Sequence, residues 1–268
     1  MISKLCEKKV SPIGLGTWMM GGGFWQPEYS QDDKVIEIIT YAIERGINVI
    51  DTAEMYGGGH TEELVGKAIK DFDRDEIFVI TKVWPTNLEP ESLKKSARKS
   101  LERLNSKYID ALLIHWPNPS IPLEKSIRAM EQLVDDGIVN CIGVSNFDVN
   151  LIKEAMNYTR KYEIKINEIE YNVINKTAER DVIPFCEKNN IVIIAYTPLA
   201  KGRVKDLKIL EEIGKKYSKT PIQVALNYLI RRSLPIPKAS KKEHINEILG
   251  SLGWSLTDED YETIKRRI

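Results

Sequence analysis

Residues 49–57 read VIDTAEMYG, a β-branched run that stops at Asp51 and is followed five residues later by Tyr56, at the edge of Gly57, Gly58 and Gly59. Val49 and Ile50 suit a buried strand, and a carboxylate followed by glycines suits a turn. Read alone, the stretch is a strand ending in a polar loop. Its weight comes from repetition: apolar run, polar end, turn and helical segment recur in that order along the chain.

The predicted strands are Ile13–Thr17, Asn48–Thr52, Ile77–Val83, Ile109–Trp116, Val139–Ser145, Ile166–Asn172, Ile191–Thr197 and Leu234–Pro237. Most are continuous apolar runs, as expected when both faces of a strand are covered. Between them lie segments of helical period at Asp32–Arg45, Thr61–Lys70, Pro90–Leu104, Pro122–Asp135, Val149–Tyr162, Ala178–Asn189, Lys205–Tyr217, Pro221–Arg232 and Lys242–Gly250. Thr61 is placed to cap the second of these, and several open near a proline, a good first-turn residue. Eight strand-plus-helix units in 268 residues, with no linker between them, predict a single (β/α)8 barrel over residues 1–268. A doubly wound sheet is the alternative. Its first turn would carry G-x-G-x-x-G, whereas Gly14-Leu15-Gly16-Thr17-Trp18-Met19 lacks the third glycine. Gly66-Lys67 does not make a P-loop either, because Thr61 and Ala68 stand where glycine and Ser or Thr are needed.

Composition narrows the function. Basic and acidic residues balance at 39 each, with no run of five like charges, which argues against a nucleic-acid binder or an acidic-tailed interaction protein. The apolar stretch at residues 191–200 is too short to span a bilayer, and MISKLCEKKV at the start has no apolar core of a signal peptide. Cys6, Cys141 and Cys186 are odd in number and far apart; they read as small buried hydrophobes or idle thiols, and a reducing cytoplasm is the expected home. Abundant Ile, Lys and Glu lean towards a heat-adapted chain.

In a barrel of this kind chemistry gathers where the strands end, because the following loops share one face. Those ends carry Asp51, Lys82, His115, Ser145-Asn146 and Tyr196. Each has a plain structural reading: a capping carboxylate, a lysine snorkelling at a strand end, a satisfied core histidine. Together with Tyr56 they suggest control of one proton. A free tyrosine holds its proton too tightly for acid–base work at neutral pH, and an ammonium beside it favours the phenolate, so Lys82 is expected to lower the Tyr56 pKa. Asp51 would supply the counter-charge that a buried ammonium needs, and His115 could donate a hydrogen bond to a substrate oxygen or relay its proton. The histidines His60, His115 and His244 show no metal-ligand spacing, so no metal is expected.

At these residues the chain resembles the aldo-keto reductases. The likeness runs through IGLGTW (13–18), VIDTAEMYG (49–57), TKVW (81–84), LLIHWP (112–117), IGVSNF (142–147), NEIEYN (167–172), AYTPLAKG (195–202) and IPKAS (236–240). The resemblance implies a barrel that binds a nicotinamide cofactor without a Rossmann domain and reduces an aldehyde or ketone to an alcohol, reversibly. It implies Tyr56 as general acid, Lys82 and Asp51 tuning it, and His115 orienting the carbonyl. Gly16, Thr17, Trp18 and Asp51 would lie along the cofactor. Ser145, Asn146 and Glu168 would meet the carboxamide, with Tyr196 stacked on the ring. Leu199 and Gly202 would cross the pyrophosphate, and Lys238, Ala239, Ser240, His244 and Glu247 would surround the adenosine end. Trp18, Trp84 and Trp116 would join Tyr56 and His115 at the substrate mouth.

Three departures from the family pattern qualify this. Glu168 replaces the usual glutamine; as a carboxylate beside the ring it would favour the oxidised, cationic nicotinamide, and Glu168→Gln would then shift the bound cofactor towards the reduced form. His244 and Ile248 stand where many relatives have Arg and Asn, so that NADP(H) is the expected cofactor on Lys238 alone and NAD(H) becomes an alternative. The loop after His115 is short, which implies an open, permissive pocket. The resemblance also admits a non-catalytic scaffold, an ion-channel auxiliary subunit for instance, though a scaffold has no use for a tuned tyrosine. A Schiff-base aldolase or isomerase on Lys82 would need a depressed lysine pKa. The expected partner is a small carbonyl compound, and the expected assembly a monomer or small homo-oligomer.

Overall fold

The computed structural model describes residues 1–268. Eight parallel strands lie side by side in chain order: β1 (Leu15–Gly16), β2 (Val49–Asp51), β3 (Phe78–Val83), β4 (Ile109–Ile114), β5 (Val139–Ser145), β6 (Ile164–Glu170), β7 (Val192–Tyr196) and β8 (Leu234–Pro235). The Gly14 and Gly16 amides donate to the Pro235 and Pro237 carbonyls at 3.0 and 3.1 Å, which brings the last strand to the first and closes the barrel. Proline lacks an N–H, but closure on this side draws only on its carbonyl.

Ten helices surround the strands: α1 (Asp32–Glu44), α2 (His60–Ile69), α3 (Pro90–Arg103), α4 (Leu123–Asp135), α5 (Val149–Tyr158), α6 (Val182–Lys188), α7 (Lys208–Tyr217), α8 (Pro221–Leu229), α9 (Lys242–Leu249) and α10 (Asp258–Arg267). Several differ from the expected bounds for local reasons. The Thr61 cap is not formed: Gly59, at φ +99°, holds the cap position, and α2 starts one residue ahead of Thr61. α5 stops at Tyr158 because the amides of Arg160, Lys161 and Tyr162 all turn onto Glu131 Oε1, at 2.7, 2.8 and 3.2 Å. Asp181 caps α6 at Val182, and a 3-10 stretch, Ala200–Asp206, delays α7 to Lys208. α8 opens on a capping box in which Thr220 and Gln223 exchange hydrogen bonds.

Two elements are additions to the predicted set. One is α10, capped by Thr257. The other is a hairpin of Lys4–Leu5 against Lys8–Lys9, whose Leu5 joins Val10 in the apolar cluster that fills the barrel interior. A disulfide between Cys6 and Cys141 ties this hairpin to β5. That overturns the expectation of idle thiols for two of the three cysteines and removes the cysteine argument for a reducing compartment; Cys186 alone is free and buried. Intracellular disulfides are common in heat-adapted organisms, in keeping with the compositional lean. No helix is long and apolar enough to cross a membrane.

The alternation of strand side chains places the site. Val49, Ile80, Leu113, Ile166 and Ile194 all belong to the interior cluster. With a period of two, the residues two positions on also point inward. Those are Asp51, Lys82, His115, Glu168 and Tyr196, so the top layer of a dry barrel is polar and ionisable. Gly143 keeps the layer beneath it closed: a Cβ there would fall 2.5 Å from Leu113 Cδ2.

Candidate active site

Above this layer opens a cavity of about 620 Å3, bounded by Asp51, Tyr56 and His115 at one end and by Lys238 at the other. Tyr56 enters it from the loop after β2. That loop is pinned by hydrogen bonds from Gly57 N to Gly23 O at 2.8 Å and from Trp25 N to Met55 O at 3.1 Å. Only glycine suits position 57, where φ is +58° and a Cβ would fall 2.2 Å from Gly21 O. The Trp18 ring lies 4.9 Å from the Tyr56 ring and that of His115 lies 5.8 Å away.

Beneath the phenol, Lys82 Nζ sits 2.5 Å from Asp51 Oδ1, 3.0 Å from Thr52 O and 3.5 Å from the Tyr56 hydroxyl. Lys82 is fully buried, with Asp51 and Glu168 each only 2% exposed. Glu168 Oε1 also reaches Lys82 Nζ, at 3.2 Å. Burial alone would pull the Lys82 pKa down, but Asp51 and then Glu168 outweigh it and the net shift is upward. Lys82 therefore stays charged, which removes the Schiff-base alternative.

The tyrosine differs from expectation. Burial raises its pKa more than Lys82 lowers it, with Asp51 and Glu168 adding to the rise, so the phenol holds its proton more tightly than a free tyrosine. The His115 pKa is lowered to about 2 by burial and by the Lys82 charge. His115 is thus a neutral hydrogen-bonding group, and of the two roles foreseen for it the proton relay through imidazolium falls away. Burial, and then the Asp51 charge, push the Glu168 pKa well above the carboxylate range. Glu168 therefore holds its proton more tightly than an ordinary carboxyl group, which works against the expected negative charge beside a nicotinamide.

Most of the predicted residues share the cavity: Gly16, Trp18, Trp116, Ser145, Asn146, Glu168, Tyr196, Leu199, Gly202 and Lys238 all line it. Asn146, at φ +63°, is held by its side chain, which donates to His115 O at 3.1 Å and accepts from the Tyr196 hydroxyl at 2.8 Å. Tyr196 is thereby fixed as a flat wall. Others stand apart. The Thr17 hydroxyl donates to Asp51 O at 2.8 Å and joins β1 to β2. Trp84 backs His115 edge-on at 5.2 Å without lining the cavity. Ala239 and Ser240 line a smaller neighbouring cavity with Lys238, and His244 approaches the Ser240 amide at 3.5 Å. Glu247 turns instead to the α8 cap, accepting from Thr220 Oγ1 at 3.1 Å.

Met55, Glu170, Thr197, Pro198, Lys201, Ile236 and Pro237 also line the main cavity and were not foreseen. Their signal was membership in the quoted motifs, AYTPLAKG and IPKAS above all.

A closed parallel barrel with an acid–base cluster at the carboxyl ends of its strands defines a barrel enzyme. The chain belongs to the aldo-keto reductases: the Aldo/keto reductase family model matches residues 12–268. It is 32% identical to the methylglyoxal reductase YeaE of Escherichia coli over 254 residues, 92% of this chain and 87% of the relative. Among solved structures, a thermostable aldo-keto reductase, Tm1743, in complex with the inhibitor epalrestat, superposes with a TM-score of 0.93 at 41% identity, covering 99% of both chains. An aldo-keto reductase from Klebsiella pneumoniae in complex with NADPH superposes with a TM-score of 0.90 at 31% identity, over 100% of this chain and 95% of that one. As members of this family are, the protein is an oxidoreductase of carbonyl compounds.

Proposed function

We propose that the protein reduces small aldehydes or ketones with NADPH, using Tyr56 as general acid. The observation that carries this is the stacking of three groups at one end of the cavity: the Tyr56 hydroxyl, Lys82 Nζ 3.5 Å below it, and Asp51 Oδ1 2.5 Å from that nitrogen. The tyrosine gives its proton to the carbonyl oxygen as negative charge develops there. The Lys82 ammonium, held in place and charged by Asp51, stabilises the phenolate left behind. Neutral His115 directs the carbonyl by a hydrogen bond and takes no proton.

The residues present fit a nicotinamide dinucleotide. Glu168 carries a buried oxygen, Oε2, without a partner, and it lines the cavity beside the Tyr196 ring. Ser145, Asn146 and Glu168 would hold the carboxamide, Leu199 and Gly202 would flank the phosphates, and Lys238 would meet the adenosine end. When bound, the reduced cofactor supplies the hydride. Trp18, exposed to 39%, and Trp116, exposed to 44%, give the mouth an apolar rim that suits the organic part of a carbonyl compound. Methylglyoxal, the substrate in the name of the E. coli relative, is of the size proposed.

The preference for NADPH rests on Lys238, which is exposed and whose ammonium lies 3.1 Å from Met19 O. Lys238→Ala is expected to raise the Kd for NADPH about tenfold, the worth of one charge-assisted hydrogen bond. The Kd for NADH should change little. Fluorescence titration of both cofactors checks this; equal losses for both would remove Lys238 from the phosphate.

A further inference from the structure

The cluster under Tyr56 has more acceptors than donors. An ammonium has three N–H bonds to give. Around Lys82 Nζ lie Asp51 Oδ1 at 2.5 Å, Thr52 O at 3.0 Å and Glu168 Oε1 at 3.2 Å, with the Tyr56 hydroxyl farther off at 3.5 Å. Asp51, Thr52 O and the phenol take the three N–H bonds, and Glu168 faces the ammonium as a second carboxyl group by charge alone. The charges are also unequal, with one cation facing two carboxyl groups, all sealed from water. Two ionised carboxylates in a dry site with a single ammonium between them would leave one negative charge uncompensated. A proton therefore belongs to this pair, and Glu168, the more distant from Lys82, is its holder.

We propose that Glu168 is a positioning residue for the Tyr56 proton: as a second buried carboxyl group against the one Lys82 ammonium, holding a proton that the Asp51–Glu168 pair can lose, it keeps the phenol protonated and biases the site towards carbonyl reduction over alcohol oxidation. The proposal rests on Tyr56 being the acid, as argued above. Lys82 on β3, Asp51 on β2, Tyr56 from the β2 loop and Tyr196 on β7 face Glu168 or interact with its charge. Glu170 lies two residues along its own strand, and His115 on β4 is neutral.

The two titrations are coupled. On raising the pH, the first proton leaves the Asp51–Glu168 pair and the cluster becomes net negative. Tyr56 must then ionise against that added charge, which moves its titration upward. Reduction needs the phenol and oxidation needs the phenolate, so reduction persists to higher pH and oxidation starts later. Glutamine at 168 keeps the shape and an oxygen for Lys82 but carries no proton to lose.

The test is the pH profile of kcat, at saturating cofactor, for reduction and for alcohol oxidation, in wild type and Glu168→Gln. The alkaline fall of reduction and the rise of oxidation should both move to lower pH in the variant, by roughly one unit, as expected for removal of a like charge at this range. A uniform loss of kcat with unmoved limbs would mark Glu168 as merely structural and overturn the proposal. Tyr56→Phe, run alongside, separates the two readings. If it stays active, the acid assignment fails; if it is inactive while Glu168→Gln leaves the profile in place, only the role of Glu168 fails. Infrared spectroscopy of the wild type gives a check that needs neither turnover nor a folded variant. A protonated-carboxyl band at neutral pH is expected, and its absence would also overturn the proposal.

Discussion

Tyr56→Phe should lower carbonyl-dependent oxidation of NADPH by roughly 10²–10⁴-fold, the usual worth of a positioned acid. Binding and stability should scarcely change. The substitution removes one oxygen whose contact to Lys82, at 3.5 Å, is long, and it leaves the ring packed against Trp18 at 4.9 Å. A single weak hydrogen bond is worth about 1 kcal/mol or less. The experiment measures initial rates with NADPH and NADH over a panel of small aldehydes and ketones, beside cofactor titrations of both proteins. A variant that keeps wild-type rates would shift the proton source elsewhere. His115 could not take that place, since its pKa is lowered to about 2 and it has no proton to give as imidazolium. For the same reason the wild-type rate of reduction should show no histidine inflection between about pH 5 and 8, the window in which an ordinary imidazole titrates. The Tyr56 pKa is raised, so the phenol is fully protonated throughout that window and reduction declines only on its alkaline side.

The barrel and the catalytic layer were legible in the sequence for one physical reason. Parallel strands covered on both faces read as apolar runs, so a polar residue at the end of such a run stands out. Asp51, Lys82, His115 and Tyr196 each stand two places beyond an interior Val, Ile or Leu, and the period of the strand turns them inward. What stayed hidden was set by neighbours remote in the chain. The rise in the Glu168 pKa depends on carboxyls from β2 and β6 meeting at one lysine of β3, and the rise in the Tyr56 pKa depends on how completely that meeting excludes water. Neither can be read from local pattern. The hairpin was missed because its strands are only two residues each, Lys4–Leu5 and Lys8–Lys9, with too little apolar content to show a period. For α10 the signals were present, with Thr257 as cap, acids in the first turn and bases in the last, but Tyr261 and Ile264 make a thin apolar stripe.

Reducing the Cys6–Cys141 bond should lower the melting temperature by on the order of 10 °C while leaving kcat in place. The bond joins positions 135 residues apart. Closing so long a loop removes much of the disorder of the unfolded chain, worth at most about 5 kcal/mol in the chain-entropy account, and a kilocalorie shifts the melting point of a chain this size by roughly 2–4 °C. The hairpin it anchors brings Leu5 and Val10 into the interior cluster, and Lys8 adds an ion pair to buried Asp110 at 2.5 Å. Loss of the bond therefore also frees a plug from the end of the barrel opposite the cavity. Because Cys141 lies near the start of β5 (Val139–Ser145) and Ser145 at its end, a change felt at the catalytic layer would have to travel along most of that strand. Cys6→Ser, Cys141→Ser and the double variant should melt alike, since each breaks the same bond, and reductant should lower the wild type to their level without moving them further. Thiol titration of the unfolded protein provides the chemical check. One free thiol, that of Cys186, is expected before reduction and three after it; three at the outset would show the pair to be unbonded and would return the cysteines to a reducing environment.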